Sequence, residues 1–259
     1  MTKRTFQVSC TDGVSESIGF LLIFSLMMAG IGLVTLYGYP LLMQQQTNAD
    51  EQIMEKNMIV LQNDVKSLAY KTVPYKETSL KIGGGALTVY NSLYSPPSST
   101  ITIRDGPGAI VQDFKSGDLT YSSASTNTEV SLQNGAVVKR QNLGSVMLAE
   151  PRWFYDGQTK TMVINLVNLT SNGIMATHGI GTIQMALGET RFDDHVPLND
   201  IYLDYTPDTN RDYSTAWDNY FQNTLGMTWE PGAGPLRTYK FPPTSRLVIK
   251  QHEVIIRSL

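Results

Sequence analysis

The chain has 259 residues, 41% apolar and 17% charged, with a net charge of −3, one cysteine and three histidines. It is too apolar for a disordered chain, and it lacks the basic excess that draws nucleic acid. A single Cys excludes a disulfide framework and a multi-Cys metal site, and three scattered His leave little for acid–base or metal chemistry.

The charge distribution is uneven from the start. Lys3 and Arg4 lie near the N-terminus, and no charged residue occurs from Ser17 to Ala49. A helix over the almost wholly apolar run Ile18–Met43 would be about 39 Å long at ~1.5 Å per residue, more than the ~30 Å hydrocarbon core of a bilayer. The run is too long for the apolar region of a secretory signal, and no small-x-small cleavage site follows it. Asp50, Glu51 and Glu55 come after it, so the positive-inside rule puts the N-terminus in the cytoplasm and the remainder outside. Gly30, Gly32, Gly38 and Pro40 fall inside the span, where such residues permit close helix contact or a kink.

Residues 12–24, DGVSESIGFLLIF, resemble the N-terminus of archaeal type IV prepilins, in which a short polar leader ends in Gly or Ala before Val-Ser-x-x-Ile-Gly and an apolar helix. The stretch through Gly38-Tyr39-Pro40 and the charged helix beyond is similar to archaeal pilin-like proteins. The resemblance implies a leader over 1–13, cut by a prepilin peptidase between Gly13 and Val14. It also implies a retained membrane and assembly helix over 14–46, containing Ile18, Gly19, Phe20, Leu21 and Leu22 with Gly30, Gly32 and Pro40. The implied partners are the membrane, the peptidase and further copies or other pilin-like subunits. Two residues depart from the pattern. Asp12 stands where the family often has a basic residue, and Ile18 stands where bacterial pilins carry a Glu that docks subunits. Cys10 falls in the leader, so the cut chain would contain no cysteine.

Met54, Met58, Leu61, Val65 and Leu68 alternate spacings of four and three, an apolar stripe along one helical face. This predicts an amphipathic stalk over 47–73 that lays its stripe on a head; pairing between subunits as a coiled coil is the competing use of the same spacing. From 74 to 259 the pattern is that of strands. Thr78–Ile82 and Ala86–Tyr90 flank Gly83-Gly84-Gly85, a hairpin signal. Further strands are expected at Ser99–Arg104, Leu119–Ser122, Glu129–Leu132, Ala136–Lys139, Thr161–Val167, Gly181–Leu187 and Arg246–Arg257, with a tight turn at Asn134-Gly135 and loops over 95–109 and 226–235. One helix is expected at Ser214–Leu225, capped by Ser214 and stopped by Gly226. The fold class is therefore α+β, a long N-terminal helix followed by an antiparallel β-sandwich-like head with one short helix.

Catalytic signatures are missing. Neither G-x-S-x-G, a P-loop, H-E-x-x-H nor a complete G-x-G-x-x-G occurs, so a non-enzymatic chain without a cofactor is expected. Asp193-Asp194-His195 reads as a solvated loop before Pro197. Asp208, Asn210 and Asp212 repeat the oxygen spacing of a calcium loop, but Tyr213 and Asn219 occupy the Gly and Glu positions of an EF-hand. They form a weak candidate site against a polar turn before the helix. Asn168-Leu169-Thr170 is a glycosylation sequon at the end of an apolar strand. A type IV pilin-like surface protein is the function expected, as a filament subunit or a minor pseudopilin. The alternative is a single-pass anchored extracellular binding module.

Overall fold

The computed structural model describes residues 12–71, 73–92, 99–142, 144–231 and 236–259, with side chains from Ser17 onward. The chain divides into two compact units between Ala49 and Asp50. The first contains α1 (Asp12–Leu33), a π turn at Val34–Gly38 and the start of α2 (Tyr39–Tyr70). The second contains the rest of α2, so the amphipathic stretch groups with the head, which is otherwise built of strands.

In chain order these are β1 (Tyr75–Tyr90), β2 (Thr100–Asp105), β3 (Ala109–Lys115), β4 (Asp118–Ser123), β5 (Thr128–Gln133), β6 (Ala136–Gln141) and β7 (Gly144–Ala149). There follow β8 (Phe154–Asp156), β9 (Thr161–Ser171), β10 (Met175–His195), β11 (Ile201–Thr206), α3 (Ser214–Asn219), β12 (Thr228–Glu230), β13 (Arg237–Lys240) and β14 (Arg246–Ser258). Among the described residues they form a nine-stranded sheet, β7-β6-β5-β4-β1-β10-β14-β9-β8, and a five-stranded sheet, β12-β13-β11-β2-β3.

The large sheet is the middle layer. On one face it takes the α2 stripe: Met54, Met58 and Leu61 are fully buried among Leu87, Val89, Leu119, Val167, Leu169 and Val254. The head, not a second helix, therefore covers the stripe. On the other face Met162, Ile164, Leu166, Leu247 and Ile249 meet Ile101, Ile103, Leu203 and Tyr205 of the small sheet and the aromatic side of the α3 segment. Trp217 and Phe221 pack there against Trp153 at ring separations of 6.0 and 5.9 Å. Gln62 was not legible in the stripe. It is buried, and its amide donates to the carbonyls of Gly135 (2.8 Å) and Glu150 (2.9 Å), fixing α2 to the turns beside it.

Several local expectations change. Gly83-Gly84-Gly85 does not turn the chain: β1 runs straight through it with a bulge, pairing Tyr75–Ile82 and then Leu87–Val89 with β10. Glycine is needed there because Gly84 has φ +62°, and a Cβ on Gly85 would sit 2.2 Å from the Ser122 carbonyl oxygen. Asn134 and Gly135 do form the expected tight turn, with φ of 46° and 73°, the left-handed pair that suits a two-residue hairpin. The 95–109 region contains strands β2 and the start of β3, and 226–235 contains β12. The sheet is not wholly antiparallel, since β14 lies parallel to β9 over Arg246–Ile256. Four strands and a helix separate the two, length enough for the chain to return in the same direction.

Strand β9 is paired by the three-residue β8 only at Thr161–Val163. Side chains cap the rest of that edge: Asn134 Oδ1 accepts the Val167 N–H (2.9 Å), and Trp153 Nε1 donates to the Asn165 carbonyl (2.7 Å). Such caps blunt an exposed strand edge.

Candidate functional site

Every large apolar side chain from Ile18 to Met43 is exposed, on all sides of the helix, with Phe20 at 70% and Leu36 at 71%. Burying such side chains contributes about 1.5–3 kcal/mol each, so the segment as a whole forgoes tens of kcal/mol in water. By length and composition this helix is long and apolar enough to cross a membrane.

The one threonine of this segment is satisfied within its own helix. Thr35 Oγ1 donates to the Ile31 carbonyl at 2.9 Å, a back-bond of the kind Ser and Thr make in helices. Gly19, Gly30 and Gly32 leave open notches: a Cβ at any of them would meet nothing within 4 Å. At Pro40 the expected irregularity takes the form of the π turn. The Tyr39 N–H bonds the Val34 carbonyl, five residues back. Proline has no N–H and its ring crowds the carbonyl four residues earlier, and the widened turn makes room for it. Gly13 and Val14 lie in the first turn of α1, while their side chains and all of residues 1–11, Cys10 included, fall outside the described residues.

The head residues singled out from sequence have other partners. Asp208 binds Arg211 through Oδ2 (2.8 Å), and its Oδ1 accepts the Asn210 N–H (2.8 Å). Asp212 Oδ1 accepts the Ser214 N–H at 2.8 Å. A cation and two turn N–H groups thus hold the weak calcium candidates Asp208 and Asp212, and no cluster of three His, Cys, Asp or Glu able to hold a metal occurs among the described residues. The cap of α3 changes too: Tyr213 stands at the N-cap without a side-chain cap bond, Ser214 is the first helical residue, and Ser145 Oγ accepts the Ala216 N–H at 3.0 Å.

Asn168 lies within β9, half-buried, and its Oδ1 accepts the Gly117 N–H at 3.0 Å. The sequon amide is thus part of the sheet edge. Asp193, Asp194 and His195 end strand β10 rather than forming a loop. His195 Nε2 is 2.9 Å from Asp105 Oδ2, and Asp194 pairs with Arg246.

Sequence reading missed one buried ionic cluster. Arg211 spans Asp118 (3.0 Å) and Asp208 (2.8 Å) and lies over the Tyr90 ring, 3.7 Å from its centroid. Two carboxylates thus share one guanidinium. Burial pushes the Asp118 carboxyl up to about 7; Arg211 opposes this, and Asp208 and Glu129 add to it. An acid whose folded pKa is raised is protonated in the fold while already ionised in the open chain. Its contribution is present below the open-chain value near 3.8 and is lost as pH rises to about 7. Asp118→Asn should flatten that loss, so the variant gains stability relative to the parent between pH 4 and 7, on the order of a few kcal/mol. Denaturant midpoints across that range check it; parallel curves for the two proteins count against it.

Fold and site together define a class: a chain with one helix long and apolar enough to cross a membrane, by length and composition, and a β-rich head on which an amphipathic helix packs. Residues 13–257 match DUF7289, a family of unknown function, and the chain belongs to that family. Comparison with curated proteins and with solved structures finds no match.

Proposed function

We propose that the chain is a type IV pilin-like surface protein, held in the membrane by its first helix and, after leader removal, packed through that helix against other subunits. The observation that carries this is the charge-free apolar surface of Ile18–Met43, exposed around the whole helix. Lipid satisfies such a surface, and so does a bundle of like helices. The absence of charge makes exchange between the two inexpensive, with glycine notches at Gly19, Gly30 and Gly32 favouring close approach. The prepilin-like residues Gly13-Val14-Ser15 and Ile18-Gly19 support the proposal. So does the extent of the family match, which begins at Gly13, the residue before the expected cut. In this proposal the head faces outward as a binding and packing module, not an enzyme.

N-terminal sequencing of protein from native membranes tests it. The expected first residue is Val14. Gly13→Val, which sets a β-branched side chain beside the scissile bond, should leave the leader uncut in essentially all molecules while membrane insertion persists. Recovery of Met1 or Thr2 in the mature parent protein would sink the pilin proposal and leave an anchored binding module. Cut protein found only as a detergent-extracted monomer, never in sheared surface fractions, would remove the filament.

A further inference from the structure

Side chains at alternate positions of a strand share a face. On β14, Val254 and Ile256 lie under α2, as do Val167 and Leu169 on β9. The helix ends at Tyr70, and the same face continues beyond it through Arg246, Val248, Lys250 and His252 on β14 and Thr161, Val163 and Asn165 on β9. There it forms an open groove of about 640 Å³, closed at the sides by Tyr70, Arg152, Phe154 and Phe192.

Two features of the groove point to a ligand. The first is charge. The chain is acidic overall, yet the lining contains Arg152, Arg246 and Lys250 and no carboxylate. Arg246 is neutralised by Asp194 at the rim, whereas Arg152 and Lys250 have no ion pair among the described residues. Both rest on aromatic faces instead, Arg152 4.8 Å from the Tyr70 centroid and Lys250 5.8 Å from that of Phe192. The second is aromatic surface offered to solvent: Phe154 is 48% exposed and Phe192 62%. His252 on the groove floor is only 4% exposed, its Nδ1 3.3 Å from Thr190 Oγ1 and its ring packed edge-on against Tyr70 at 5.3 Å, so it shapes the groove.

We propose that this groove binds an acidic polysaccharide of the uronate kind. Sugar carboxylates would engage Arg152 and Lys250, and the ring C–H faces would stack on Phe154 and Phe192. A guanidinium grips a planar carboxylate with two parallel bonds, and aromatic faces carry the negative charge density that attracts polarised C–H groups. An acidic peptide fits less well. Extended peptides draw affinity from main-chain bonds to a free strand edge, whereas this is a sheet face whose β9 and β14 backbones already bond each other. The groove belongs wholly to the head, so binding is independent of whether the N-terminal helix polymerises.

Titration calorimetry on the full-length protein, in a zwitterionic detergent without a sugar headgroup, tests this with galacturonic acid oligomers, their neutral methyl esters and polyglutamate. The galacturonate oligomer should bind, with the methyl ester and polyglutamate each at least about tenfold weaker. Arg152→Ala and Phe192→Ser should each weaken binding about tenfold or more. Phe192 is the decisive position if Arg152→Ala lowers the unfolding temperature, because its exposed ring supports little of the fold. No binding of the galacturonate oligomer, equal binding of polyglutamate, or an affinity unchanged by Phe192→Ser would each overturn the proposal.

Discussion

Truncation of Arg211 to alanine is expected to destabilise the head by about 3–5 kcal/mol, the cost of leaving a buried ion pair broken. Asp118 and Asp208 are both buried, and Arg211 is the cation they share. Its removal strands two carboxylates close together in a low-dielectric setting, where each must take up a proton or draw in water. It also strips the cation from the Tyr90 face. The loss should be largest near neutral pH and smaller in acid, where both carboxyls protonate. Adding Asp118→Asn and Asp208→Asn to Arg211→Ala should recover a large part of it, because neutral amides need no counter-charge. Denaturant unfolding of the three proteins decides the matter; a loss below about 1 kcal/mol, or no recovery in the triple variant, would contradict the shared-cation account.

The second large effect is on α2. Leu61→Ala should cost about 2–5 kcal/mol, since a fully buried leucine leaves a cavity the sheet cannot close. Leu61 is 0% exposed and its chain neighbour Val60 is 50% exposed. Val60→Ala should therefore change stability by no more than about 0.5 kcal/mol. The pair isolates burial from helix propensity, as both changes produce alanine in the same turn. Equal effects at the two positions would mean that another helix covers the outer face as well as the head covers the inner one.

Much of this protein was legible in its residues because local physics suffices for it. The apolar run Ile18–Met43 is long enough for a helix to cross a membrane, by length and composition. A stripe of Met54, Met58, Leu61, Val65 and Leu68 defines one buried face whatever it meets. Asn134-Gly135 adopts left-handed dihedrals that few other residue pairs accept. A strand with regular alternation, such as Thr100–Asp105, follows from side-chain period alone.

Other features depend on contacts between distant parts of the chain. Gly83-Gly84-Gly85 has the composition of a turn, and only the close approach of Ser122 and Asp50 makes it a bulge inside a continuous strand. Asp208 and Asp212 have calcium-loop spacing, and only the arrival of Asp118, far away in sequence, turns the loop into one arm of an ion cluster. The groove past Tyr70 draws Arg152, Phe154, Phe192 and Lys250 from three strands and a loop with no spacing pattern. Sequence by itself determined which surfaces of this protein must avoid water. Tertiary structure decided which partner covers each of them, because periodicity encodes a face, whereas a partner is selected by shape, charge and reach across the whole fold.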